Sequence, residues 1–348
     1  MNNHKPTFSI CVPTYNRGSK ALNMAQTVLP TMDDDWELLI LDNASNTELE
    51  SYQQLQEMAI IDPRLKYVRH ESNRMFQGNY LACFRLAAAP YIMIVSDEDF
   101  ANSDMIRQVL PALTTLPNLG IVRGAIVPVE GVNPRNSHSR AEQSFFAGEE
   151  ALSNFTFSNN YMSGTVYNRE LLTNYGLVER LANGLDKNRV YPHLYMDMLV
   201  CALCDVITTS EIACFEGLEQ ITIDGGDLVL GVSKGPMDYN APYSFGSRID
   251  QFIVLRDAVW ESVGLVEEPF NKALFVKIYL RLCEKYMYLI TRVNSPMYLQ
   301  HKIHPGLLHQ AMLHVCGAAI GMYPELSDFE TYLFLEIHKL HAKYEPFV

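Results

Sequence analysis

The sequence is short of basic residues, of regularly spaced cysteines and of long uninterrupted apolar runs, and each shortage removes a class of function. Lys and Arg total 27 against 40 Asp and Glu, a formal net charge of −13. A nucleic-acid binder needs a basic face, so a nucleic-acid partner is excluded. The charge is uneven. From Phe270 onward eight Lys and Arg stand against six Asp and Glu, leaving the preceding part at −15. The seven cysteines are odd in number and follow no framework of spacings, which fits reduced thiols in a cytosolic protein rather than a disulfide scaffold. Cys201 and Cys204 form a CxxC inside the apolar run "MLVCALCDVI". With no second pair nearby, that run reads as core packing and not as a zinc site.

The opening "MNNHKPTFSI" lacks the apolar stretch of a signal peptide and runs at once into a strand. Residues 303–324 carry no Asp, Glu, Lys or Arg, yet hold three histidines, two prolines and three glycines. They read as buried or interfacial helix and loop, not as a membrane span. Internal repeats and low-complexity segments are absent too. At 48% apolar and 19% charged residues, the chain is globular rather than disordered.

Within the first 130 residues, short runs rich in β-branched and aromatic residues ("FSICVPTY", "WELLILD", "LKYVRH", "YIMIVSD", "LGIVRGAIV") alternate with helical stretches. This alternation predicts βαβ units, hence an α/β fold with a mostly parallel sheet flanked by helices. The near-continuous apolar runs suit strands buried on both faces. Thr47 and Glu50 fit a capping box for the second helix. "YPHLYMDMLVCALCDVI" reads as a helix with Pro192 in its first turn. "FEGLEQITIDGGDLVLG" reads as a strand broken by a glycine-rich turn. After Pro242 the pattern is helical, placing a boundary near 240: a sheet domain over 1–240, with halves about 1–130 and 131–240, then a C-terminal helical domain over 241–348.

In an open α/β sheet, ligands bind outside the carboxyl ends of the strands. Three strands end there in polar groups: "PTYNR" (Pro13, Thr14, Tyr15, Asn16, Arg17), "DNAS" (from Asp42) and "SDED" (Asp97, Glu98, Asp99). Consecutive acids at the end of a buried strand repel one another and resist burial unless a cation offsets them. Asp97 and Asp99 are spaced to share a divalent ion, with oxygen ligands suiting Mg2+ or Mn2+. Such an ion would bridge a diphosphate.

The segments "SICVPTYNRGSKALNMAQTVL", "ELLILDNASNTE" and "YVRHESNRMFQGNYLACFRLAAAPYIMIVSDED", in this order and spacing, resemble the family 2 glycosyltransferases over roughly residues 7–130. The resemblance implies a GT-A (Rossmann-like) fold and a nucleotide-diphosphate sugar donor. It places Pro13, Thr14, Tyr15, Asn16, Arg17 and Asp42 at the nucleotide, and Asp97 and Asp99 on a metal with Glu98 toward the donor sugar. "NRMFQGN" puts Asn73, Arg74, Gly78 and Asn79 near the donor. The chain departs from the family at Asn43, where a second acid is usual.

Inverting transfer needs a base for the acceptor hydroxyl. The usual acidic pair is missing, and the helix "YPHLYMDMLV" offers Asp197 and His193, four apart on one face; Asp197 is the preferred base and His193 the second. "MSGTVYNREL" resembles the acceptor-side turn, implicating Ser163 and Gly164, and "IDGGD" (Ile223 to Asp227) borders the same cleft. The basic, aromatic segment Asn271–Val293 reads as a helix packed on the sheet domain or a second copy, or lying on a membrane surface.

The resemblance implies an enzyme of surface polysaccharide assembly, moving sugar to a saccharide or lipid-linked acceptor in the cytoplasm or at the inner membrane face. Two rivals remain open: a sugar nucleotidyltransferase, for which "PTYNRGSK" lacks the glycine-rich phosphate loop, and a non-catalytic nucleotide-sugar-binding or assembly subunit.

Overall fold

The computed structural model describes residues 5–129, 141–158, 161–184, 191–217, 245–290, 304–318, 321 and 323–344. Four parallel strands form the first half of the sheet in the order β3 (Leu65–Arg69), β2 (Trp36–Asp42), β1 (Phe8–Thr14), β4 (Tyr91–Ile94). They are connected by α1 (Gly18–Val28), α2 (Leu49–Ile61) and α3 (Met75–Leu86). Apolar residues on consecutive positions suit these strands because both faces are covered. Ile10, Val12, Leu38, Ile40 and Met93 join one buried cluster with α1, α2 and α4 (Ser103–Thr115). Cys11, Leu39, Leu41, Ile92 and Ile94 join the opposite one.

Beyond β4 the sheet becomes mixed. β8 (Thr165–Asn168) runs antiparallel to both β4 and β6 (Leu119–Pro128), and β6 runs parallel to β9 (Asp205–Glu216). The short β5 (Phe100–Ala101) and β7 (Gln143–Phe145) pair antiparallel with β9. The helices of this half are α5 (Glu149–Asn154), α6 (Arg169–Asn174), α7 (Leu177–Gly184) and α8 (Pro192–Leu203). The apolar helical run that holds Cys201 and Cys204 ends at Leu203, and "DVITTSEIACFE" is strand β9. Cys201 and Cys204 are free and fully buried.

Among the described residues four α-helices follow: α9 (Phe245–Val266), α10 (Lys272–Tyr288), α11 (Pro305–Ala318) and α12 (Glu330–Tyr344). Their apolar faces share one core cluster with α3, α8 and the near side of the sheet. The basic, aromatic segment is α10. It buries Leu274, Phe275, Ile278, Tyr279, Leu282 and Tyr286 in that cluster. Its cations are spent locally. Arg281 donates to the carbonyls of Ser153 and Thr156, and Lys285 to that of Phe157 at 3.2 Å. Together they satisfy carbonyls at and beyond the C-terminal end of α5, a favourable place for positive charge. Packing, not an exposed amphipathic face, therefore explains this helix; Arg292 lies outside the described residues. Among the described residues no helix is long and apolar enough to cross a membrane.

The capping box expected at Thr47 and Glu50 does not form. Helix α2 starts after Glu48, which has φ +53 and makes no side-chain cap. Glu48 Oε2 instead accepts the Ser19 N–H at 2.7 Å, serving the first turn of the neighbouring α1.

Candidate active site at the carboxyl ends of β1, β2 and β4

The turn after β1 is fixed from two sides. Asn16 sits at φ +55, a left-handed conformation that Asn tolerates better than most residues. Its Oδ1 accepts the Asn46 and Thr47 N–H groups at 2.8 and 3.2 Å, and its own N–H donates to Ser45 Oγ at 2.8 Å. The buried Tyr52 hydroxyl accepts the Arg17 N–H at 3.0 Å and meets Thr14 Oγ1 at 3.0 Å. These bonds lock the β1 and β2 ends together. They leave Asn16 Nδ2 and Arg17 Nε enclosed, with no hydrogen-bond acceptor among the described residues. Pro13 is buried within β1 and Tyr15 is half-buried.

Asp42 ends β2 with no exposed surface. Its Oδ1 accepts the Ser45 N–H at 2.8 Å, and its Oδ2 accepts both the Tyr67 hydroxyl and Arg69 Nη1 at 2.6 Å. Sequence reasoning missed both of these partners. The signal was present in "LKYVR": Tyr67 and Arg69 are two apart on one face of β3, and parallel register sets Arg69 beside Asp42. Burial and the adjacent Asp42 push the Tyr67 hydroxyl well above its ordinary pKa, so it remains a donor at neutral pH.

Asn43 is a structural bracket. Its Nδ2 donates to Asn73 Oδ1 at 2.8 Å and to the Met75 carbonyl at 3.2 Å, while its Oδ1 accepts the Arg74 N–H at 2.9 Å. A carboxylate cannot donate, so the family's usual acid would face two oxygens here. Asn79 braces the same corner from α3. Its Nδ2 donates to the Leu41 carbonyl at 3.0 Å and its Oδ1 meets His70 Nε2 at 3.0 Å. Arg74 is exposed at the start of α3, and a Cβ on Gly78 would come within 2.7 Å of Arg74 Cβ.

The acids after β4 divide into a pair and a single. Arg17 Nη2 lies 3.1 Å from Asp97 Oδ1 and also pairs with Glu98 Oε2. The Asp97 and Glu98 side chains are 3% and 8% exposed. Burial raises the Asp97 pKa, with Arg17, Thr14 and Lys20 opposing. Asp99 faces other partners: Tyr161 Oη at 2.5 Å, Ser163 Oγ at 2.7 Å and the Gly217 N–H at 3.1 Å. It has no exposed surface, and burial lifts its pKa to about 6 against those hydrogen bonds. Gly217 is required by contact, because a Cβ there would lie 1.8 Å from the Glu98 carbonyl oxygen. The structure thus gathers Asp97 and Glu98 around one cation and not Asp97 and Asp99.

Among the described residues no three His, Cys, Asp or Glu side chains cluster as a metal cage. Two carboxylates nevertheless fit Mg2+ or Mn2+ chemically, because such ions commonly take one or two protein carboxylates and complete their shell with phosphate oxygens and water. Asp97 and Glu98 suit that role; Asp99, committed to three donors, does not in this arrangement.

The residues read as base are buried, and the acceptor-turn residue Ser163 is bonded to the acidic loop itself. Asp197 is 1% exposed and ion-paired to the equally buried Arg123, Oδ2 to Nη2 2.6 Å, with the Tyr167 hydroxyl at 3.2 Å. This carboxylate is enclosed among core residues. His193 is 3% exposed and packs edge-on to Tyr80 and Tyr191. Ser163 is fully buried, accepting the Ser96 N–H at 3.0 Å while donating to Asp99, so it fastens the acidic loop instead of lining an acceptor surface. Gly164, at φ +85, sits under Ile126. "IDGGD" lies outside the described residues.

Comparison with known proteins bears on the family and the fold. Residues 9–176, just under half of the chain, match the family model "Glycosyl transferase family 2". The putative colanic acid biosynthesis glycosyl transferase WcaA of Escherichia coli is 32% identical over 98 residues, 28% of this chain and 34% of WcaA. The uncharacterized protein y4gI of Sinorhizobium fredii is 27% identical over 118 residues, 34% of this chain and 13% of that protein. The matches therefore span 34% and 13% of the lengths of these curated relatives. S. aureus TarS 1-349 in complex with UDP shares the fold at a TM-score of 0.61 and 14% identity, over 98% of this chain and 90% of that one. A mannosyltransferase of Pyrobaculum calidifontis in complex with GDP-Man and Mn2+ does so at 0.50 and 16%, over 98% and 88%. At such identities the likeness shows the GT-A architecture alone.

Proposed function

We propose that this protein transfers a sugar, with inversion, from a nucleoside-diphosphate sugar to a hydroxyl of a saccharide or lipid-linked acceptor in surface polysaccharide assembly. One observation carries the reading. At the converging ends of β1 and β4, the enclosed donors Asn16 Nδ2 and Arg17 Nε lack acceptors among the described residues, beside a buried acid pair that already holds a cation. Enclosed donors without partners are costly, and an oxygen-rich diphosphate at this edge would satisfy them. The WcaA relative, by its name, supports the polysaccharide setting. The GDP-Man and Mn2+ complex of the Pyrobaculum enzyme supports a nucleotide-sugar donor with a divalent ion.

In this reading, Asp42, oriented by Tyr67 and Arg69, fixes the nucleoside end, and the Asn16–Arg17 turn receives the diphosphate. Asp97 and Glu98 would hold Mg2+ or Mn2+, which when bound supplies positive charge to the departing diphosphate. The acceptor proton is not assigned to Asp197, because its carboxylate is bound within the core.

The test is a thermal-shift and calorimetric screen of nucleoside mono- and diphosphates with and without Mn2+, followed by donor-hydrolysis assays. A diphosphate-selective, Mn2+-dependent response with slow donor hydrolysis is the expected result. No response to any nucleoside diphosphate would overturn the assignment; binding without hydrolysis would move the protein to the class of binding subunits.

A further inference from the structure

We infer that Arg17 is an exchangeable counter-ion: it occupies the Asp97–Glu98 pair in the donor-free protein and passes to the diphosphate when donor and divalent ion enter together. The inference rests on the function proposed above and deepens it, because it couples binding of the ion to binding of the donor.

The backbone of Arg17 cannot travel. Its N–H is held by the Tyr52 hydroxyl at 3.0 Å, and α1 begins at the next residue, where a Cβ on Gly18 would already meet the Glu48 carbonyl at 2.8 Å. The side chain is the part free to swing, being 23% exposed while its two carboxylate partners are 3% and 8% exposed. One nitrogen, Nη2, serves both acids, and the enclosed Nε–H is left without an acceptor among the described residues. A guanidinium favours bidentate pairing, which a phosphate offers through two adjacent oxygens and this acid pair does not satisfy.

Charge sets the coupling. Two buried carboxylates need a cation; Arg17 pairs with both, and the charge of Lys20 also favours the ionised Asp97. A divalent ion arriving alone must expel Arg17 from its partners and leave the guanidinium uncompensated. If the ion arrives with a diphosphate, Arg17 exchanges carboxylates for phosphate oxygens and the acids exchange a guanidinium for the ion. Every charge stays paired. The exchange therefore predicts positive coupling between divalent ion and diphosphate, equal in both directions, with Arg17 as a positioning residue for both.

The experiment is a Mn2+ titration read by electron paramagnetic resonance of the free ion. It is run on the full chain, on Arg17→Gln and on Arg17→Lys, with and without the nucleoside diphosphate that the screen selects. Unfolding midpoints confirm that each variant is folded. In the wild type, Mn2+ is expected to bind at least about tenfold more tightly with the diphosphate than without it, a typical allosteric coupling. Arg17→Gln is expected to raise Mn2+ affinity without nucleotide by about tenfold or more and to lower diphosphate affinity by a similar factor, the scale of one charged hydrogen bond. Arg17→Lys, which keeps a cation but loses the fork, is expected to fall between the two. Unchanged nucleotide-free Mn2+ affinity in Arg17→Gln, with the diphosphate still bound, overturns the exchange and leaves the proposed function standing. Failure of the wild type to bind any nucleoside diphosphate overturns both.

Discussion

Asp197 and Arg123 form an ion pair in the core, Oδ2 to Nη2 2.6 Å, each side chain 1% exposed. Arg123 also donates from Nε to Thr165 Oγ1 at 2.9 Å and lies over the Phe155 ring at 4.3 Å. The pair thereby ties α8 to β6, β8 and the turn after α5, and its role is architectural. Removing one partner strands a buried charge, typically at about 3–5 kcal/mol. Asp197→Ala should lower the unfolding free energy by roughly that amount in urea titrations. Replacing both partners, Arg123→Met with Asp197→Leu, should recover most of it. Diphosphate affinity of folded Asp197→Asn should match the wild type. A variant that kept full stability and lost only transfer would return Asp197 to the role of base.

Asn43 poses the converse case, a departure from the family pattern that reads as a lost ligand and is a gained bracket. Asn43→Asp would set a carboxylate against Asn73 Oδ1 and the Met75 carbonyl, both now satisfied by the amide. Losing those bonds and opposing like partial charges should cost about 1–3 kcal/mol. Asn43→Ala should cost less, because it leaves no repulsion behind. Chemical denaturation of the two variants checks the ranking. Restoring the family's acid should therefore weaken the site.

The contrast between these two residues shows what the sequence made legible. The β1–β4 half was readable because its strands are apolar on consecutive positions and its helices are bounded by turn residues, so periodicity and topology agree. Three converging polar strand ends followed directly. Strand β9 was hidden, because register shifts against β6 between Leu119 and Ile126 disrupt the alternation that marks a strand. The surroundings of the candidate base were hidden for a different reason. His193 and Asp197 do share a helical face, but spacing along a helix does not say whether that face meets solvent or an arginine from another strand. The separate surroundings of Asp97 and Asp99 were hidden similarly: alternate residues share a side in an extended strand, and the chain after Ile94 is no longer one.

Tyr67 and Arg69 offer a way to test the nucleotide end without touching Asp42 itself. Each donates to Asp42 Oδ2 at 2.6 Å, so loss of either frees the carboxylate to rotate. Hydrogen bonds to charged acceptors contribute about 1.5–3 kcal/mol when buried. Arg69 is the more exposed partner, its side chain 42% accessible, and solvent screening reduces its share. Tyr67→Phe should therefore weaken diphosphate binding more than Arg69→Gln does, by about tenfold against a few-fold. Calorimetric titration of both variants provides the comparison.

His309 of α11 and His341 of α12 stack at 4.2 Å with their planes 19° apart, and they are 1% and 7% exposed. Burial first, and the neighbouring His341 second, push the His309 pKa down to about 4 from an ordinary 6.5. The unfolded chain then binds more protons than the folded one between those two values, so stability falls as pH falls. The contribution is complete above about pH 6.5, is lost progressively towards pH 4 and does not change further below it. The strain is local to the contact between α11 and α12. Amide hydrogen exchange should therefore accelerate in α12 between pH 7.5 and pH 5, relative to the intrinsic rates, while the β1 and β2 amides stay protected. His309→Gln, which cannot take up the proton, should flatten that response. Equal acid sensitivity in the variant and the wild type would place the titrating group elsewhere.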